Sequence, residues 1–199
     1  MKIMLDGSGA KIAEQEAKFD FPLWQLRTPL TGNKLTGRPY GLDNGCFTTF
    51  NFKVWQRMIK EAHATPAKFV CLPDIVGDAR RTLELFGQFS EMTIGLPRAL
   101  VLQDGIGNFD IPWNDLSAVF VGGSDNFKIA PECINACKTA KILNKWVHVG
   151  RVNTIDRLSN WMTLGDSIDG SGISKYDHML EAVIGMIKNE TAQLDIFGQ

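Results

Sequence analysis

The sequence predicts a single α/β domain over residues 1–199, a compact (β/α)8 TIM-like barrel. Three observations predict it. About eight short apolar runs alternate with helix-like patterns, as parallel strands joined by crossover helices do. The runs are apolar throughout, the pattern of strands covered by helices outside and by packed side chains inside. Seven of the eight end in a polar or glycine cluster, so many strand ends each bring one polar group to a common face. An open doubly wound sheet is the rival with the same alternation.

Taken in order, Lys2–Leu5 is a strand ending in Asp6-Gly7-Ser8-Gly9. Phe21–Leu26 is the second, followed by a loop rich in Gly, Thr and Lys over Thr28–Gly37. Pro39–Leu42 is the third, and helical spacing then begins at Val54, with Trp55, Met58, Ile59 and Ala62 on one stripe. Lys68–Leu72 is the fourth strand and Gly77–Ser90 the helix after it. Ala99–Leu102, Ala118–Val121, Trp146–Val149 and Ser167–Ile168 complete the strands. Their crossovers are a short one at Pro112–Leu116, then Phe127–Leu143, Thr154–Leu164 and Lys175–Asn189, with Leu194–Gln199 as a tail. In the helix from Phe127, the residues Ile129, Cys133, Ala136, Cys137 and Ala140 form an apolar stripe.

At 199 residues and 44% apolar content the chain can bury a full core. A net charge of −1 and a pI near 6.3 argue against a strongly basic nucleic-acid coat, though not against a local basic groove. No apolar leader is evident and no run is long enough to span a bilayer, so a cytoplasmic protein without a membrane partner is expected. The four cysteines, Cys46, Cys71, Cys133 and Cys137, form neither a Cys-x-x-Cys pair nor a set with histidine at zinc-finger spacing. They read as structural thiols, and no metal or cofactor is expected.

The strand-end clusters carry the chemistry. They are Asp43-Asn44-Gly45-Cys46-Phe47, Pro73-Asp74, Gln103-Asp104-Gly105, Gly122-Gly123-Ser124, His148-Val149-Gly150-Arg151 and Asp166-Ser167-Ile168-Asp169-Gly170. Five of these in order, Asp43-Asn44-Gly45-x-Phe47, Pro73-Asp74, Gln103-Asp104-Gly105, Gly122-Gly123 and Asp166-x-x-Asp169, from about Tyr40 to Gly172, resemble the tRNA-guanine transglycosylase superfamily. They are most similar to the DNA-directed, deazapurine-in-DNA (DpdA-like) branch. The resemblance implies a general acid/base at Asp43 and a nucleophile toward C1′ of the sugar at Asp169. It implies a substrate-binding set of Asn44, Phe47, Asp74, Gln103, Gly122 and Gly123. In that set Phe47 stacks on the base, Asp74 and Gln103 read its edge, and the glycines let backbone approach it. The chain lacks the Cys/His zinc site of the family's tRNA enzymes and the length for their tRNA-holding subdomain, which weakens a tRNA reading and says little against action on DNA.

The residues themselves suit that chemistry. Breaking an N-glycosidic bond builds positive charge on the sugar and negative charge on the departing base, so one carboxylate and one proton donor are needed. Asp169 and Asp43 can supply them, with Asp166 as the alternative nucleophile. If water completes the reaction the product is an abasic site; if a second, free nucleobase does, the enzyme is a transglycosylase. A target in duplex DNA must be flipped out, or met single-stranded, and an aromatic ring such as Phe47 can replace the lost stacking. Lys128, His148, Arg151 and Lys175 follow strands on the same face and could hold backbone phosphates.

Other readings stay open on sequence alone. Asp43-Asn44-Gly45 and Asp169-Gly170 are also ordinary turn sequences, and Asp74 could simply cap a helix. Exchange of deazaguanine on tRNA remains an alternative. So does a phosphate-binding barrel isomerase or lyase acting on a small molecule, although no lysine or carboxylate–histidine set of the usual kind stands at the strand ends. A non-catalytic nucleic-acid-binding relic of the fold is a third.

Overall fold

The computed structural model describes residues 1–197, and the side chains of residues 1–190. Eight parallel strands close in sequence order: β1 (Lys2–Leu5), β2 (Leu23–Arg27), β3 (Tyr40–Leu42), β4 (Phe69–Cys71), β5 (Arg98–Leu102), β6 (Ala118–Val121), β7 (Trp146–Val149) and β8 (Ser167–Ile168), with β8 pairing back to β1. This is the expected (β/α)8 barrel rather than the open sheet. The helices are α1 (Gly9–Phe19), α2 (Phe52–Ala64), α3 (Ala79–Phe89), α4 (Asp125–Lys128), α5 (Pro131–Ile142), α6 (Ile155–Ser159), α7 (Ser171–Lys175) and α8 (Asp177–Phe197). The crossover between β5 and β6 is reduced to two 3-10 turns, Ile106–Asn108 and Trp113–Asp115, as the short Pro112–Leu116 segment implies.

Five helices, α1 to α4 and α6, are started by a polar side chain in the loop before them. Ser8, Asn51, Asp78, Ser124 and Thr154 accept from the backbone N–H three residues on, filling a donor that the helix leaves open. Trp55, Met58, Ile59 and Ala62 bury the α2 stripe, while Val54 stays half-exposed. Cys133, Ala136, Cys137 and Ala140 do the same for α5. Ile129 departs from expectation. The Phe127–Leu143 pattern is two helices, because Pro131 lacks an N–H and favours a first helical position, so α5 restarts there. Ile129 falls in the break and is 62% exposed. The last crossover likewise divides into α7 and α8. The tail expected over Leu194–Gln199 is helical through Phe197, and 198–199 lie outside the described residues.

One helix, α1, was not evident from the sequence. Only Ile12 and Gln15 of its eleven residues are buried, so it shows almost no apolar stripe. Ion pairs and hydrogen bonds hold it instead. Glu16 accepts from Arg38 and from the Leu23 N–H, and Gln15 and Lys18 reach Asp177 of α8.

Alternation along the strands divides the core in two. Outward residues such as Ile3, Leu5, Leu100, Val119, Val147 and Ile168 pack beneath the helices. Inward residues Met4, Leu26, Phe69, Cys71, Ala99, Val101 and Ala118 fill the barrel, with Trp24, Phe120 and Trp146 packed against them. Large and small alternate here. Gly41 of β3 faces the Phe69 ring, and a Cβ on it would lie 2.7 and 2.8 Å from Phe69 Cε1 and Cε2. Gly41→Ala should therefore destabilise the fold by about 1–3 kcal/mol through overpacking. A lower urea midpoint at unchanged slope checks this.

Candidate active site

The two-residue period of a strand places the site one layer above the packed interior. Two positions beyond Gly41 is Asp43, two beyond Val101 is Gln103, two beyond Phe120 is Gly122, two beyond His148 is Gly150, and two beyond Ser167 is Asp169. Five strand ends, those of β3 and of β5 to β8, thus contribute to one mouth at the C-terminal end of the barrel. The glycines make room for the polar groups beside them. A Cβ on Gly122 would meet Gln103 Nε2 at 2.8 Å, and one on Gly150 would meet Phe120 Cε1 at 2.6 Å and Asp169 Oδ1 at 3.3 Å.

Asp74 anchors one side. Its Oδ1 accepts from Asn44 Nδ2 at 2.7 Å and its Oδ2 from Gln103 Nε2 at 2.5 Å. Asn44 also donates to the Leu72 carbonyl and accepts from the Cys46 N–H, closing the β3 loop onto β4. Gln103 Oε1 accepts from the Gly77 N–H at 2.9 Å. The polar groups expected to read a base edge are therefore joined in one network. Burial raises the Asp74 pKa, against the hydrogen bonds from Asn44 and Gln103. Burial also pushes the Cys46 thiol up to about 12, which leaves it protonated and a poor nucleophile at neutral pH.

Asp43 is the most perturbed carboxyl of the mouth. It is pushed up to about 7, first by burial and then by the negative charges of Asp169 and Asp74; the Asn44 and Gly45 N–H groups only partly oppose this. Asp169, on the far side, stands 3.0 Å through Oδ1 from His148 Nε2. Asp166, the alternative nucleophile, is at the opposite end of the barrel. It precedes β8, pairs with Lys141 at 2.6 Å and accepts from the Val147 N–H at 2.8 Å.

The four residues expected to hold phosphates separate. His148 is fully buried within the barrel, its ring between Phe69 and Phe120 at centroid distances of 4.9 and 4.6 Å. It sits two residues before the strand-end turn, on the inward side, and meets Asp169 rather than solvent. Lys128 is also buried; it donates to the Gly150 carbonyl, and burial with the Arg151 charge lowers it to about 8. Neither reaches a phosphate in this conformation. Lys175 is exposed at the end of α7. Arg151 is partly exposed, in a left-handed backbone conformation at φ 59°, and turns back to donate to the Gly123 carbonyl.

Phe47 is 62% exposed rather than part of the core, and the Arg151 guanidinium lies 4.5 Å from its ring centroid. Gly123 takes a left-handed turn at φ 64° whose Cβ position would lie 2.8 Å from Asp104 Oδ2, so a side chain there would displace the cap beneath it. Asp104 accepts from both the N–H and the hydroxyl of Ser124, shaping the turn without entering the mouth. Among the described residues no group of three or more His, Cys, Asp or Glu side chains could hold a metal ion, and no helix is long and apolar enough to cross a membrane.

No protein-family model matches this chain, and no curated protein matches it.

The raised Asp43 carboxyl has a consequence for stability. It binds its proton more tightly folded than unfolded, so its contribution is fully present below the unfolded value near 3.8 and is lost as pH rises through about 7. Asp43→Asn removes that ionisation. The variant should exceed the parent in stability at pH 8 by on the order of 1–3 kcal/mol, with little difference at pH 4. Urea unfolding at the two pH values checks it.

Proposed function

We propose that this protein breaks the N-glycosidic bond of a nucleobase in DNA, with a modified base as the preferred target. One observation carries the reading: Asp43 and Asp169 share a single barrel mouth, and burial together with the neighbouring carboxylate charges raises Asp43 to about 7, so that it can serve as a proton donor near neutral pH. Reactions that need a proton donor and an anion on opposite sides of one bond use such a pair.

In the first step the Asp169 carboxylate attacks C1′ of the sugar. The C1′–N bond breaks as the C1′–O bond forms, and protonated Asp43 gives its proton to the departing base. In the second step Asp43, now ionised, takes a proton from water or from an incoming nucleobase. That nucleophile then displaces Asp169 from C1′. Water yields an abasic site; a base yields exchange. Asp74, Gln103 and Asn44 offer a linked hydrogen-bonding edge beside the departing base. The exposed Phe47 ring offers a stacking face for a flipped or single-stranded nucleotide. Such an activity suits modification of DNA, or defence against phage DNA that carries modified bases.

The test is incubation with DNAs bearing different base modifications, alongside unmodified DNA and tRNA. Mass spectrometry detects released bases and alkali detects abasic sites. Release from one DNA by the parent, at least about 10³-fold slower with Asp169→Asn while DNA binding persists, is the expected outcome. Undiminished release by Asp169→Asn would contradict it. The first-step rate should fall as pH rises through about 7, because Asp43 must be protonated to act as acid.

A further inference from the structure

Directly below Asp169, a line of polar groups runs down the otherwise apolar barrel interior. Trp146 Nε1 donates to Ser167 Oγ at 2.8 Å, Ser167 Oγ lies 2.7 Å from His148 Nδ1, and His148 Nε2 lies 3.0 Å from Asp169 Oδ1. Ser167 and His148 have no exposed surface. Buried polar groups must satisfy one another, so the direction of each hydrogen bond in such a line can be worked out.

The indole N–H can only donate, so Ser167 Oγ accepts on that side. The serine hydroxyl hydrogen then needs an acceptor, and Nδ1 of His148 is the one within reach. With Nδ1 bare, the imidazole hydrogen sits on Nε2 and points at Asp169 Oδ1. The opposite tautomer would set the Nε2 lone pair against a carboxylate oxygen and strand the serine hydrogen. A doubly protonated ring would strand that hydrogen as well. Phe69 and Phe120 pack against the ring and oppose its swinging away.

We propose that Trp146, Ser167 and His148 form a positioning relay that fixes His148 as its neutral Nε2–H tautomer and thereby holds Asp169. Oδ1 of Asp169 is occupied by the histidine, which leaves Oδ2 as the oxygen presented to the mouth. The Gly150 backbone packs beside Oδ1, close enough that a Cβ there would lie 3.3 Å away. The consequence for C1′ attack rests on the glycosidic reading above; the tautomer itself does not. His148 acts here through Asp169 and is a positioning residue.

The tautomer is read by long-range proton–nitrogen correlation spectra of 15N-labelled protein at neutral pH. The signals of His148 are separated from those of His63 and His178 by their absence in His148→Leu. An unprotonated Nδ1 with a protonated Nε2 is expected, kept in Ser167→Thr and shifted toward a mixture in Ser167→Ala. A protonated Nδ1 in the parent, or a Ser167→Ala spectrum identical to the parent's, would overturn the relay. On a DNA substrate, Ser167→Ala should lower kcat roughly 10- to 100-fold with KM nearly unchanged, and Ser167→Thr should restore most of it. Parent-like kcat in a folded Ser167→Ala overturns the positioning role. The expected tautomer together with no base release from any nucleic acid would uphold the relay and reject the glycosidic reading.

Discussion

Crowding of negative charge at one barrel mouth is the constraint on which this site depends. Closure of eight parallel strands brings every C-terminal strand end to one rim, and the sequence places Asp43, Asp74 and Asp169 there, Asp74 buried and the other two half-buried. Three carboxylates in a poorly solvated space cannot all ionise freely. The protein resolves the conflict unevenly. Asp74 is given two side-chain donors, Asn44 and Gln103, and Asp169 is given His148. Asp43 has only weak backbone N–H contacts, and it is the group that retains its proton toward neutral pH.

The interior below the mouth is built to make this arrangement rigid. Glycine at positions 41, 122 and 150 lets aromatic and polar side chains come closer than any Cβ would permit. Phe69 and Phe120 then hold His148 by its faces, and His148 holds Asp169. Orientation is fixed by packing and not by long flexible side chains, which is how a reacting group is kept near its productive geometry at low entropic cost. Beyond the rim, Phe47 and Arg151 stack on each other in the open.

The barrel, and which strand ends meet at its mouth, were legible in the sequence because both follow from short-range rules. Strands β6, β7 and β8 have the bounds their apolar runs indicate, and the cluster after each strand lies on the expected rim. What was not legible depended on long-range partners. α1 lacks an apolar stripe because Glu16, Lys18 and Gln15 tie it to Arg38 and Asp177, far along the chain. His148 and Lys128 look like surface cations in sequence, yet Phe69, Phe120, Asp169 and the Gly150 carbonyl enclose them. The inward parity of β7, with Trp146 and His148 on one side and Val147 and Val149 on the other, was the one signal that could have placed His148 inside. Gly150, adjacent to Arg151, was likewise visible as part of a turn but not as the close neighbour of Asp169.

The raised Asp43 carboxyl beside Asp169 is the claim from which the proposed chemistry follows, and it can be measured without knowing the substrate. Carboxyl carbon chemical shifts of 13C-labelled aspartate, assigned through Asp43→Asn, would follow Asp43 from pH 3 to 9 in the parent and in Asp169→Asn. A midpoint near 7 in the parent that moves down when Asp169 loses its charge is the predicted result. A midpoint near the ordinary carboxyl value of 3.8, unmoved by Asp169→Asn, would contradict the account.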